Sequence, residues 1–186
     1  MTKQNQTYPG MTDSAVEFFV KDNVVKVIHS GTITDFTDLS LAFIETLRDH
    51  IKDDILVNSE LKRWHPNSEI KRLEQFVKCR FGGLDFQSDI KDGVLQDGEY
   101  WDCPLRGKCR SEGILCKLPI HNGKRLTPQD VTIIQLASSD MTNDVIAETM
   151  KMPLGTFHKE KKGLYRWLKI PTKQHLALLA KNMNLI

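Results

Sequence analysis

The sequence predicts an α+β fold in three parts. β-rich runs with tight polar breaks and an amphipathic helical pattern open the chain, four cysteines gather in the middle, and four short capped helical segments close it. The expected layout is a flexible N-terminus at 1–13, a small N-terminal α+β module at 14–78, a cysteine-rich metal-binding segment at 79–123 and a C-terminal four-helix domain at 124–186.

Residues 1–13 are polar and lack an apolar run, so little ties them down. Val16–Val20 and Val24–His29 are rich in β-branched and aromatic residues. Lys21-Asp22-Asn23 separates them, which predicts a hairpin, with a short extended piece at Thr32–Thr34. From Thr37 to about residue 53, Leu39, Phe43, Ile44, Leu47 and Ile51 recur at three- and four-residue intervals and predict an amphipathic helix that covers one side of the hairpin. A second helix over Ser59–Trp64 ends before Pro66. A third begins after Ser68, with Ile70, Leu73, Phe76 and Val77 on one side. His29, His50 and His65 have no metal-ligand spacing, and about 65 residues cannot supply five alternating βα units, so control by aspartyl phosphorylation is not expected.

The middle segment holds Cys79, Cys103, Cys109 and Cys116, all the cysteines of the chain, spaced C-x23-C-x5-C-x6-C. In a reducing compartment such clustering points to a metal, not to disulfides. Four thiolates satisfy a tetrahedral zinc ion, the expected ligand. An iron–sulfur cluster is the alternative, because it also takes four thiolates, tolerates irregular spacing, and a proline follows Cys103. Free or packed thiols are the third reading. Gly82-Gly83, Asp92-Gly93 and Asp97-Gly98 mark turns, and the stretch Asp102–Cys109 has little apolar material for a core, so a cross-link must hold it. Tyr100 and Trp101 are placed to shield a metal. Asp85, Asp89 and Asp92 read as solvent-facing caps, not as a catalytic constellation.

The last third begins with Leu126-Thr127-Pro128-Gln129-Asp130, a helix start with a cap, a proline at the first helical position and an acid three residues after the cap. Helices are predicted at about 128–138, 143–150, 154–168 and 173–182, broken at Ser138-Ser139-Asp140, Lys151-Met152-Pro153 and Ile170-Pro171-Thr172. The middle pair, joined by about three residues, with Val145, Ile146 and Met150 on one helix and Phe157, Leu164 and Leu168 on the next, is a helix-turn-helix pattern.

Leu126-Thr127, Ile133-Ile134, Thr142-Asn143, Ile146-Ala147, Met150, Met152, Thr156-Phe157-His158, Leu164, Leu168, Ile170 and Lys173 fall without a gap on a pattern that resembles the LuxR-type DNA-binding domain. The resemblance covers about 60 residues. It departs at Gln129-Asp130, Glu160 and Gly163, and sigma-factor region 4 and other four-helix readers share much of the spacing. It implies a bacterial-type transcriptional regulator that binds double-stranded DNA, with the second helix of the pair in the major groove. It also implies a homodimer formed through the last helix, where Leu176, Leu178, Leu179, Met183 and Leu185 supply apolar surface.

Charge agrees. Residues 124–186 carry ten basic and five acidic side chains, a net of +5 in a chain whose total is +2, leaving −3 for the rest. Thr142, Gly155, Thr156, His158, Lys159, Lys161, Lys162 and Arg166 are the expected DNA-binding residues. Gly155 lets backbone approach closely, His158 and Lys159 reach base edges, and Lys161, Lys162 and Arg166 meet phosphate.

These features give a cytoplasmic, sequence-specific DNA-binding regulator with a structural metal site. The alternatives are an iron–sulfur DNA-associated accessory factor or enzyme, a redox-sensing regulator, and an adaptor that reuses the helix-turn-helix for protein. No nucleophile–base pair or glycine-rich phosphate loop is present, so no enzyme activity is expected. No apolar run reaches the ~18 residues of a membrane span, and Met1–Gly10 has no apolar signal-peptide centre.

Overall fold

A computed structural model of the chain describes residues 7–186. It is a mixed α+β structure, with seven α-helices, a five-stranded antiparallel sheet and a separate two-stranded sheet among the described residues. The chain divides into two compact units, residues 1–117 and 118–186. No described helix is long and apolar enough to cross a membrane.

In the first unit, β1 (Val16–Lys21), β2 (Val24–His29) and β3 (Thr32–Asp35) form a meander, and β4 (Ile90–Lys91) and β5 (Val94–Leu95) extend it in the order β3-β2-β1-β4-β5. The registers Lys21↔Val24, His29↔Thr32 and Lys91↔Val94 leave two residues in each turn. Both turn residues have positive φ: Asp22 52° and Asn23 68°, Ser30 49° and Gly31 77°, Asp92 52° and Gly93 76°. That is the backbone a two-residue turn needs to match the right-handed strand twist, and Asp, Asn and Gly adopt it at least cost.

Alternation along the strands puts Val16, Phe18, Val25 and Val27 on the face covered by helices α1 (Leu41–Ile51), α2 (Ile55–Trp64) and α3 (Glu69–Arg80). Ile44, Leu47 and Ile51 of α1, Val57 and Leu61 of α2, and Leu73, Phe76 and Val77 of α3 complete that core. Each such fully buried side chain contributes about 1.5–3 kcal/mol. Caps set the starts of two of these helices: Asp54 accepts from the Val57 N–H at 3.0 Å and Ser68 from the Lys71 N–H at 3.3 Å. Helix α1 begins at Leu41 and not at Thr37, because a 3-10 turn at Phe36–Asp38 precedes it; α2 begins at Ile55, ahead of the expected Ser59.

The expected flexible stretch 1–13 lies partly outside the described residues. Residues 7–13 are fastened: the Gly31 N–H donates to the Gly10 carbonyl at 2.7 Å, the Gly10 N–H to Asp13 Oδ1 at 2.7 Å, and Tyr8 stacks on Phe86 at 4.7 Å. Polar composition concealed these anchors, which are mostly backbone groups.

A buried acidic group corrects the reading of Asp89 as a solvent-facing cap. Asp89 is 3% exposed and accepts the Phe18 N–H at 2.7 Å, while its own N–H donates to the Val16 carbonyl at 2.9 Å, so it takes part in pairing β1 to the strand that follows. Glu17, on the face of β1 turned away from the helices, accepts the Asp85 N–H at 2.9 Å, and Glu99 accepts the Gly83 N–H at 2.6 Å. Burial pushes the Glu17 carboxyl up to about 8 and Glu99 up to about 9, and raises Asp89, which also feels the Glu17 charge.

A carboxyl that stays protonated in the fold but ionises in the unfolded chain makes the folded state bind more protons. Its contribution is therefore fully present below the ordinary value of 4.5 and is lost as pH rises through about 8 for Glu17 and about 9 for Glu99. Urea denaturation of a Trp167→Phe background, followed by Trp64 and Trp101 fluorescence, is expected to show the first unit losing stability steadily over that interval. Glu17→Gln is expected to flatten the slope.

Candidate functional site

The cysteine segment has no body of its own. Up to Lys117 it folds with the N-terminal elements, and Leu95 and Leu115 enter their core. Its long loop, residues 96–117, is held by side chains of α2 and α3. The Arg80 guanidinium donates from Nε to the Leu115 carbonyl at 2.9 Å and from Nη2 to the Ile114 carbonyl at 3.0 Å. Gly98 lies against the Arg80 side chain so closely that a Cβ there would collide with it. Ser111, 1% exposed, donates to Glu60 Oε2 at 2.8 Å and accepts the Trp64 indole N–H at 3.0 Å. Those bonds explain why Glu60 is buried on an otherwise apolar helix face.

These anchors bring all four predicted cysteines to one cavity of ≈ 40 Å³. Cys79 comes from the last turn of α3; Cys103, Cys109 and Cys116 come from the loop. Two sulfurs already accept N–H donors, Cys79 from Gln75 Nε2 and Cys116 from Arg106 Nη1, each at 3.1 Å. Arg106 is fixed in turn by the Trp101 carbonyl, at 3.2 Å from Nε and 3.1 Å from Nη2, and lies 4.4 Å over the Tyr100 ring. Burial pushes the Cys79 thiol up to about 11 and raises Cys103. No disulfide joins the four, and among the described residues no three of His, Cys, Asp and Glu are drawn together as ligands of a single ion. Tyr100 and Trp101, singled out as shields, differ: Trp101 lines the cavity, whereas the Tyr100 ring packs under Arg106.

The second unit opens with a hairpin that sequence reading missed, β6 (Ile120–His121) with β7 (Lys124–Arg125). Its signal was present in Asn122-Gly123, whose φ values of 48° and 76° match the other two-residue turns. Helices α4 (Pro128–Ser138), α5 (Asn143–Thr149), α6 (Leu154–Leu168) and α7 (Lys173–Asn182) follow. The start of α4 is a full capping box: Thr127 Oγ1 accepts the Asp130 N–H at 3.1 Å and Asp130 Oδ2 accepts the Thr127 N–H at 2.8 Å. Helix α4 packs on α5 and α7, and α5 on α6. Between α5 and α6, Lys151 takes a left-handed φ of 53° and the Met152 N–H returns to the Ala147 carbonyl at 3.0 Å, which makes the turn tight.

Phe157, Leu164 and Leu168 are buried and fall within about 20° of one direction around α6. Gly155, Lys159, Lys162 and Arg166 point within about 40° of the opposite direction, and Thr156 and His158 flank them at about 100° from Phe157. All six are exposed. A Cβ at Gly155 would meet nothing within 4 Å, so the helix start is open to a ligand. Thr142 is exposed, and its hydroxyl is not used as a cap.

Lys161 differs from the phosphate role expected of it. It lies only about 40° from the buried direction, its Nζ donates to Asn143 Oδ1 at 2.8 Å, and it sits over the rings of Phe157 and Tyr165 at 5.8 and 5.6 Å. Burial and the Lys173 charge lower its pKa. Lys161 is a tie between α5 and α6. Trp167 is likewise structural: Lys124 Nζ lies 4.9 Å over its ring and His121 meets it edge-on at 6.1 Å. On α7, Leu176 and Leu185 beyond it are buried within the unit, whereas Leu178 is 60% exposed.

The chain matches no protein-family model, no curated protein and no solved structure.

Two substitutions check these positions. Ser111→Ala leaves Glu60 Oε2 and the Trp64 N–H without their shared partner and is expected to destabilise the first unit by about 1–3 kcal/mol in chemical denaturation. Lys161→Met is expected to destabilise the second unit by about 1 kcal/mol, whereas Lys162→Met leaves its melting unchanged; differential scanning calorimetry distinguishes them.

Proposed function

We propose that this chain is a sequence-specific regulator of transcription that binds double-stranded DNA through α5 and α6 as a LuxR-type reader, acts as a homodimer and has no catalytic activity. The observation that carries the proposal is the division of α6 into a buried apolar face and an opposite exposed face of Gly155, Lys159, Lys162 and Arg166. A helix held by its neighbours along one side, with cations and a bare glycine on the other, offers the shape and charge that a major groove accepts. The net +5 of residues 124–186 supplies the long-range attraction.

Roles follow from position. Lys162 and Arg166 contact phosphate, with Thr142, just before the preceding helix, supplying a hydroxyl; Thr156, His158 and Lys159 reach base edges. Lys161 keeps the two helices in register for those contacts and is the least exposed of the basic residues on α6. Leu178 lies on the exposed side of α7 and forms the dimer contact together with the half-buried Leu179 and Met183. In the other unit the four cysteines hold a metal that fastens the loop to α3.

Selection of a preferred duplex from a random pool, then binding of that duplex across a salt series, tests the DNA-binding proposal. Affinity is expected to fall log-linearly with salt, by about 0.9 per phosphate neutralised. Lys162→Ala is expected to lower the slope by about 1 and to weaken selected and unselected duplexes alike. Binding that does not respond to salt overturns the proposal.

A further inference from the structure

The cavity among the cysteines is the feature of this molecule that says most beyond DNA binding. It rests on the reading of the four cysteines as metal ligands and asks what those ligands enclose. Four thiolates on one zinc ion stand ~2.3 Å from it and therefore about 3.8 Å from one another, in mutual contact. Such a site has no interior. Here, among the described residues, no three of the cysteines are drawn together as ligands of one ion, and all four line, with Trp64, Trp101 and Arg106, a cavity of ≈ 40 Å³, whereas one water needs only ~10–15 Å³ by the same measure. We propose that the cavity is the seat of an iron–sulfur cluster, in which each cysteine binds an iron of its own and inorganic sulfide fills the space between.

The surroundings fit that occupant. Iron–sulfur centres bound by four thiolates carry net negative charge, and N–H donors to the sulfurs stabilise it. Gln75 Nε2 at Cys79 and Arg106 Nη1 at Cys116 are such donors, each 3.1 Å from sulfur, and Arg106 adds a positive charge that it shares with the Glu112 carboxylate, 3.7 Å away. Arg106 is held by the Trp101 carbonyl and the Tyr100 ring, so the charge is aimed before any metal arrives. The indoles of Trp64 and Trp101 and the Leu105 side chain form the apolar part of the cavity wall.

One corner is different. Cys109 also borders a second recess, of ≈ 420 Å³, whose rim carries Arg63, Lys108 and Arg110. Cys79 and Cys116 face donors inside the fold, whereas Cys109 stands between the cluster cavity and a basic opening to solvent.

The test is metal and acid-labile sulfide analysis of the full chain purified without oxygen, with a visible spectrum and a parallel duplex-binding assay. Iron and sulfide in equal amounts, about four of each per chain, with broad visible absorption that bleaches on reduction, are expected. Arg106→Gln is expected to keep the iron but shift the reduction potential, a change that a purely structural arginine does not produce. Cys116→Ser is expected to lose iron, and reconstitution of the metal-free wild-type chain with ferrous iron and sulfide serves if that variant does not fold. Zinc near one per chain without a chromophore overturns the cluster and leaves the metal reading standing. Four freely titrating thiols with no metal overturn both, and neither result bears on the DNA-binding assay.

Discussion

The first unit depends on the grip of Arg80 on a loop that cannot hold itself. Between Gln96 and Lys117 the chain buries only Tyr100, Ser111, Leu115 and Cys116, too little for a core. Arg80 reaches across from the end of α3 and donates to two successive carbonyls, Ile114 and Leu115, which are otherwise costly to bury. The guanidinium fork suits that task better than an ammonium, because its planar N–H groups meet both acceptors at once. Burial lowers the Arg80 pKa without removing its charge, so the clamp is permanent. With one end of the loop pinned to α3 and Ser111 pinned to α2, Cys109 and Cys116 have no choice but to face Cys79.

The second unit solves a different problem, that of presenting one side of a helix while burying the other. Its core runs through Ile133, Ile146, Phe157, Leu164 and Leu176, one or two residues from each helix, so that removing any one element exposes the rest. The Lys151 turn sets the entry to α6, and Lys161 with Asn143 sets its rotation. The exposed cations are therefore placed by apolar packing and by a single polar tie, not by one another.

Much of this architecture was legible in the sequence because it is local. Asp22-Asn23 and Asp92-Gly93 announce two-residue turns, Ser68 and Thr127 announce helix starts, and the spacing of Phe157, Leu164 and Leu168 announces the buried face of α6. What escaped was non-local or angular. Asp89 looked like a surface acid, because nothing in its neighbourhood says that its carboxylate will be spent on the Phe18 N–H, 71 residues away. Lys161 looked like its neighbours, because a run of basic residues conceals that one of them lies close to the core direction. The four cysteines were visible as a group, but their irregular spacing said nothing of the cavity they line. That cavity depends on Arg80 of α3 and Trp64 of α2, which meet the loop at Leu115 and Ser111.

The order of strands in the sheet carries a consequence for how the chain acquires its structure. β1, β2 and β3 pair through two-residue turns and need only about 20 residues of chain to form, which places them among the contacts that close on the microsecond scale. The β1 edge then waits: its partner β4 arrives after α1, α2 and α3, and pairs through the single match Val16↔Ile90. Cys79 precedes that closure and Cys116 follows it. On a ribosome adding about 5–20 residues per second, the first thiol leaves the ribosome a few seconds ahead of the last. The meander and helices thus precede the strands and the loop, whose Ile90, Leu95 and Leu115 complete the shared core last.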